Sequence, residues 1–305
     1  MLIAIDHGNY AIITPHFSFV AGLSEDMVKP PLAEEVLEYA GKYWSLSGHR
    51  VPYMRDKTQD DRYFILSLFA IARELQASVQ DASLEKIDLA IGLPPEHYRL
   101  RDRFAQYFRR DEKINFLYNN CPLSIEIRHI FVYPQAYAAV IPQCTKLINT
   151  LRVFIVDIGG FTTDVLLLRN GKPDLQFCRS LESGVITMNN NIIGKISAQH
   201  DMKIEDEHIS AVLSGRETIL PEDVKKTIRD AAQMHAKGIL DQLRELQVDL
   251  RTNPVIFIGG GSALFRPLFE KSPLIAQASY VEDVKANAVG YAMLADKQLN
   301  RMGLN

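Results

Sequence analysis

Val153–Val165 reads VFIVDIGGFTTDV, a β-branched apolar run that ends in an aspartate and meets two adjacent glycines. Such a run bounded by glycines predicts a buried strand leading into a tight turn. Gly159 and Gly160 lack a Cβ, so their backbone N–H groups can approach a phosphate that a larger side chain would hold off. Thr162 and Thr163 add hydroxyl donors, and Val165–Leu168 resumes as a second strand. Asp157 ends the first strand and cannot bind phosphate directly, because like charges repel. It makes sense as an anchor for hydrated Mg²⁺ or for an attacking water.

Two other stretches repeat the pattern. Leu2–Asn9, LIAIDHGN, is an apolar strand ending in Asp-x-Gly, and Val255–Ser262, VIFIGGGS, is a strand running into three glycines. Two Asp-x-Gly hairpins in one chain imply two similar domains. The closing residues of the third motif, Gly259, Gly260, Gly261 and Ser262, are a second place where backbone can come close to a ligand. Ser183-Gly184, ahead of a helical stretch, is another.

With 305 residues the chain has room for about two domains and a sizeable core. Its 47% hydrophobic and 23% charged content is that of an ordinary soluble globular protein. A formal net charge of −3 gives no electrostatic case for wrapping nucleic acid or an anionic membrane. The three cysteines, Cys121, Cys144 and Cys178, are far apart and form no C-x-x-C pair, which fits a reducing cytoplasm better than a disulfide framework or zinc site. No stretch approaches the roughly 18 uninterrupted apolar residues of a membrane span, and Met1–Ile5 is too short for a signal peptide.

The alternation of strands and helices argues α/β. Ala11–Ile13 and Phe17–Val20 continue the first sheet; Ser24–Pro31 reads as loop, and Glu35–Leu46 as a hairpin closed around Ser47-Gly48. Arg50–Gln59 reads as an exposed connector. A helix starts at Asp60 or Asp61 and buries Phe64, Leu68, Ile71, Leu75 and Val79. Ile87–Leu93 is a strand halted by Pro94-Pro95. Tyr98–Arg110 is a basic amphipathic helix whose arginines, diluted by Asp102, Asp111 and Glu112, suit a solvated face or a protein contact better than nucleic acid. Ser124–Val132 is a strand, and Gln135–Ile141 opens a helix. Asn170-Gly171 closes a hairpin, Gln199–Gly215 reads as polar and irregular, and Pro221 starts a long helix. Helices at Ala263–Glu270 and Val284–Asp296 complete the chain.

The three glycine-bearing turns, in this order, resemble the two phosphate motifs and the adenosine motif of the actin/heat-shock chaperone/sugar kinase superfamily. Asp88–Tyr98 (DLAIGLPPEHY), Val132–Ala138 (VYPQAYA) and Asn287–Ala292 (NAVGYA) resemble stretches of the ParM branch of bacterial actins, the last two its connecting segments. The resemblance covers most of the chain. It implies an actin-like fold: two facing α/β domains with a nucleotide cleft between them. Residues 1–151 plus 285–305 would form domain I, with a smaller inserted subdomain at about 24–80, and 152–284 domain II.

Carried over residue by residue, the resemblance assigns Asp6, Gly8 and Asn9 to the first phosphate loop and Asp157, Gly159, Gly160, Thr162 and Thr163 to the second. Gly184 and Gly259, Gly260, Gly261 and Ser262 would also touch nucleotide, with Leu264 and Phe265 as walls for the base. Asp6 and Asp157 would hold Mg²⁺ through water. Gln135 and Asp157 would be catalytic, Gln135 orienting the attacking water where ParM proteins commonly carry Glu. A lysine usually follows the glycine of the first hairpin; here the place is taken by Ile13 or its neighbours, and no Lys or Arg precedes Lys29. The implied function is a cytoplasmic ATPase, with ATP/ADP and Mg as cofactors. It would polymerise with itself and drive plasmid or other DNA segregation through a DNA-binding adaptor of the ParR type, with no direct nucleic acid or membrane contact. Two other readings stand beside it: a small-molecule kinase on the same fold, and a slowly hydrolysing nucleotide-binding scaffold.

Overall fold

The computed structural model describes residues 1–78, 85–110, 113–143 and 150–304. Val79, Asp111, Glu112, Cys144 and part of the connector expected at Pro142–Arg152 lie outside the described residues. The chain divides into two compact units: Met1–Pro142 with Val284–Asn305, and Gln143–Asp283.

The first unit begins with β1 (Leu2–His7), β2 (Ala11–Ile13), β3 (Ser18–Val20), β4 (Leu23–Asp26), β5 (Val36–Tyr39) and β6 (Lys42–Leu46). Then come α1 (Arg62–Ser78), β7 (Glu85–Leu93), a 3₁₀ turn at Pro95–Leu100, α2 (Arg101–Phe108), β8 (Ile114–Tyr118), β9 (Cys121–Pro134) and a second 3₁₀ turn at Ala138–Gln143. Its sheet has nine strands in the order β3-β2-β1-β7-β9-β8-β5-β6-β4. β1, β7 and β9 run parallel. Ile3–Ile5 of β1 and Leu89–Leu93 of β7 are apolar and buried, as strands covered on both faces are, whereas β9 is mostly half-buried and carries Glu126, Arg128 and His129. The closing helix Ala286–Met302 covers one face through Tyr291, Ala295 and Leu299. On α1, Phe64, Leu68, Ile71 and Leu75 are buried in the main core.

The second unit contains β10 (Arg152–Ile158), β11 (Thr163–Arg169), β12 (Lys172–Leu181), α3 (Val185–His200), α4 (Asp206–Leu213), α5 (Glu222–Glu245), β13 (Val255–Ile258), α6 (Gly260–Phe269) and β14 (Ala278–Val281). Its sheet order is β12-β11-β10-β13-β14, with β10, β13 and β14 parallel and β10-β11-β12 an antiparallel meander. The stretch β3-β2-β1-β7-β9 of the first sheet has the same pattern, strand for strand. The duplicated Asp-x-Gly hairpins therefore mark a duplicated five-stranded core.

Several expectations need correction. The hairpin β5–β6 closes at Ala40-Gly41, whose φ values of 52° and 74° match the strand twist, and not at Ser47-Gly48. Ser24–Asp26 pairs with β6 as a strand although its side chains are exposed. Strand β8 carried no glycine signal, because its turn to β9 uses Asn119-Asn120 at positive φ. Gln135–Ile141 opens as a turn with Ala136 at φ 63°, followed by 3₁₀ geometry. Polar Gln199–Gly215 contains a helix, α4, held by a capping box between Glu205 and His208. Helix α6 starts at the glycines themselves, and Gly290 does not interrupt the closing helix. The connector Arg50–Gln59 is not simply exposed: Val51, Met54 and Lys57 are buried at every third position.

Candidate functional site

In the first unit the site grows from the end of β1. Strand alternation sends Asp6 and His7 to opposite faces. His7 enters the apolar core, fully buried against Phe104 and Phe108, with Nε2 2.7 Å from the Ser67 hydroxyl. Burial there pushes its pKa down to about 3, so the ring stays neutral. Asp6 is buried on the other face, where burial pushes its carboxyl above the usual range. Opposing that shift are the charge of Lys57 and hydrogen bonds from Gln135, Asn287 and Tyr291.

Gln135 Nε2 donates to Asp6 Oδ1 over 2.7 Å, and Tyr291 Oη does so over 3.5 Å. The Ala136 amide donates to Asn287 Oδ1 at 3.0 Å, which ties the turn carrying Gln135 to the closing helix. The backbones can meet because Gly290 has no side chain: a Cβ there would lie 2.0 Å from the Ala138 carbonyl oxygen. Asp6, Gly8, Asn9 and Gln135, named from the sequence, thus belong to one loop cluster. Asn9 Oδ1 accepts a bond from Tyr63 at 3.1 Å. Ile13 is the direct cross-strand partner of Asp6.

Lys57 was missed. Its ammonium donates to the His7 carbonyl and stands 5.3 Å from the Tyr63 ring centroid. The signal was the three-residue spacing of Val51, Met54 and Lys57, but a lysine at such a position reads as solvated by default.

In the second unit the site is made of backbone. Gly159 N–H donates to the Thr162 carbonyl at 2.8 Å. The amides of Gly184, Val185 and Ile186 donate to the carbonyls of Phe161, Gly159 and Gly160 at 3.0, 3.1 and 2.7 Å. The double-glycine turn is therefore stitched to the start of α3. Gly184 is required for this approach, since a Cβ would sit 2.3 Å from the Gly160 oxygen. Gly259, at φ 83°, starts α6 beside Asp157; its Cβ would meet Asp157 Oδ1 at 2.3 Å. Gly261 packs on Ile158 and Val185. Asp157, Gly159, Gly160, Gly184, Gly259 and Gly261 are thus brought together, with the N-termini of α3 and α6. The first amides of α3 are spent on the glycine turn, so the start of α6 is the one whose N–H groups and partial positive charge suit an anion.

Some expected ligands serve the fold instead. The Thr163 hydroxyl donates to the Ser183 carbonyl at 2.6 Å and the Ser262 hydroxyl to the Gly259 carbonyl at 2.8 Å, and both residues are fully buried. Thr162 Oγ1 donates to Asp164 Oδ2 at 3.1 Å. Phe265 is no wall for a base: at 0% exposure it stacks on His235 and packs against Phe269 in the core. Leu264 is half-buried. Among the described residues no three His, Cys, Asp or Glu side chains gather as a metal cage. Mg²⁺ needs no such cage, being held commonly by one or two carboxylates, phosphates and water. Each unit offers one such carboxylate beside its glycine turn, Asp6 in the first and Asp157 in the second. No helix among the described residues is long and apolar enough to cross a membrane.

Residues 36–137 match the family model of the actin-like proteins' N-terminal domain, and residues 155–271 that of the archaeal actin homologue MreB-like C-terminal domain. A search of curated protein sequences gives no match. Among solved structures, the archaeal actin homologue Ta0583 in complex with ADP superposes with a TM-score of 0.74 at 20% identity, covering 97% of this chain and 99% of that one. The apo ParM of psk41 gives 0.74 at 12%, covering 99% and 98%. The protomer of a 15-stranded ParM filament from Clostridium botulinum gives 0.73 at 17%, covering 97% and 99%. These likenesses fix the fold as actin-like, a mixed α/β architecture. The chain has an actin-like fold, shared with ParM and the archaeal actin homologue.

Proposed function

We propose that this chain is an actin-like ATPase that polymerises into filaments with ATP and Mg²⁺, and that the filaments segregate plasmid or other DNA through an adaptor of the ParR type. The observation that carries the nucleotide part is the matched pair of Asp-ended strands. Each runs into a glycine turn, one with the Gln135 amide on its aspartate and one stitched to the start of a helix. Support for nucleotide and assembly comes from the ADP complex of the archaeal homologue and the filament formed by the botulinum ParM, both of which share the fold.

In this reading the amides of Gly8, Asn9 and Gly160, and those opening α6, bind phosphate oxygens, while the Gly159 amide and those opening α3 hold the second turn in shape. Asp6 and Asp157 would hold Mg²⁺ through water; when bound, the ion neutralises phosphate charge. Gln135 spends its NH₂ on Asp6, which fixes the side chain and leaves its carbonyl oxygen to accept a hydrogen bond from water. A neutral amide orients water without acting as an ordinary general base. Hydrolysis then rests on positioning and charge stabilisation and is slow.

The test is sedimentation with light scattering. Purified protein should pellet with ATP and Mg²⁺ above a critical concentration and stay in the supernatant without nucleotide. Protein that remains monomeric at high concentration with both ATP and a non-hydrolysable analogue sinks the filament reading.

A further inference from the structure

The first 28 residues contain no Lys or Arg, so the β1–β2 hairpin has no cation of its own. It nonetheless has one in space. Lys57 is only 9% exposed, and its ammonium reaches the His7 carbonyl, the peptide group that leads directly into Gly8. Burying an ammonium is costly unless something pays in hydrogen bonds or charge. Here the compensation includes the His7 carbonyl, the face of Tyr63 and the field of Asp6.

The segment around Lys57 is built to hold it there. Asp56 Oδ1 accepts from the Thr58 amide at 3.0 Å and the Thr58 hydroxyl at 2.7 Å, closing a tight turn with Lys57 at its centre. Arg103 on α2 clamps the outer face of that turn, Nη2 lying 2.8 Å from Asp56 Oδ2. Farther back, Val51 donates to the Ala21 carbonyl at 2.7 Å, and Val51 and Met54 are buried. The connector is thus pinned at both ends, with one long cationic side chain directed inward between the pins. A structural residue in that place could as well have been apolar, like its neighbours at three-residue spacing.

We infer that Lys57 is the phosphate-facing cation of the first hairpin, delivered from the connector in place of the lysine that Ile13 replaces. The inference rests on the nucleotide-binding reading above. Its ligand class is a nucleoside di- or triphosphate, recognised by charge at the terminal phosphates and not at the base. Asp6, whose cross-strand partner is Ile13, lies within the field of the same ammonium. A cation reaching the hairpin from Lys57 or from position 13 would therefore act on the same region.

The experiment measures the affinity of ATP, ADP and adenosine for wild type, Lys57→Met, Lys57→Arg and the double variant Lys57→Met/Ile13→Lys, with thermal melts alongside. Loss of a charge-assisted hydrogen bond predicts that Lys57→Met weakens ATP and ADP by about 10- to 100-fold while adenosine changes by about twofold or less. Lys57→Arg should keep most of the phosphate-dependent affinity, and Ile13→Lys should restore part of it in the Met background. Equal losses for ATP and adenosine, or none for either, overturn the assignment while the nucleotide-binding reading survives. If wild type binds neither, that reading fails and this one with it. Should Lys57→Met not fold, the ¹³C resonance of the Lys57 ε-carbon, assigned by its absence in Lys57→Arg, decides the question. It should shift with ATP and ADP but not with adenosine, and a signal indifferent to phosphates refutes the role.

Discussion

The two units complete the same kind of turn by opposite means. In the second unit the glycine turn after Asp157 is closed by main chain: three amides at the start of α3 reach its carbonyls, and Gly184 and Gly259 keep the space clear. In the first unit the turn after Asp6 is closed by side chains brought from far away in sequence, Lys57, Gln135, Asn287 and Tyr291. A main-chain device fails when an atom is added. A side-chain device fails when atoms are removed. The duplicated core therefore carries two loops with different vulnerabilities.

The largest effect should follow from adding one methyl to the second unit. Gly184→Ala places a Cβ 2.3 Å from the Gly160 oxygen, a clash with backbone that cannot rotate away. The expected cost is about 3 kcal/mol of stability with loss of nucleotide binding, read by denaturant unfolding and by titration. A stable variant with normal affinity would show that the stitch is dispensable. Next comes truncation in the first unit. Gln135→Ala should leave nucleotide affinity within about threefold and slow phosphate release by about 10- to 100-fold, because its role arises only when water attacks. Parallel losses of affinity and turnover would make Gln135 a support for Asp6 alone.

The smallest effect is a slope. His7 is held neutral in the fold, its pKa lowered to about 3 by burial, whereas the unfolded ring titrates near its ordinary value of 6.5. Between those limits the unfolded chain binds the extra proton, so stability is complete above about pH 6.5 and falls as pH drops toward 3. One proton contributes about 1.4 kcal/mol per pH unit. His7→Gln should flatten the unfolding free energy between pH 6 and 4 by about that slope. An unchanged slope would mean that the ring is protonated in the fold.

The same contrast explains what was legible in the sequence. The second unit's turns could be read because their parts are contiguous: apolar run, aspartate and glycines stand side by side in Val153–Gly160 and Val255–Gly261. Asp6, Gly8 and Gln135 were legible for the same reason, each sitting inside a short motif. Lys57 was not, since a cation in a polar connector announces solvent, and only the tertiary placement of Arg103 and Val51 turns it inward. Phe265 was misjudged because adjacency to a glycine motif says nothing about which side of α6 faces the core. Strand β8 and helix α4 escaped because polar residues occupy their exposed positions and asparagines or a capping box replace the usual glycine and serine punctuation.

The closing helix has a consequence for synthesis on the ribosome. Asp6 is made 285 residues before Tyr291 and likewise long before Asn287, both of which donate to it. Until that helix emerges and Gly290 settles on Ala138, a nascent chain has a second unit whose turn is whole and a first unit whose aspartate is not fully dressed. The first hairpin therefore reaches its final hydrogen bonding only after the whole second unit has been made, whereas the second unit's turn draws on nothing outside that unit.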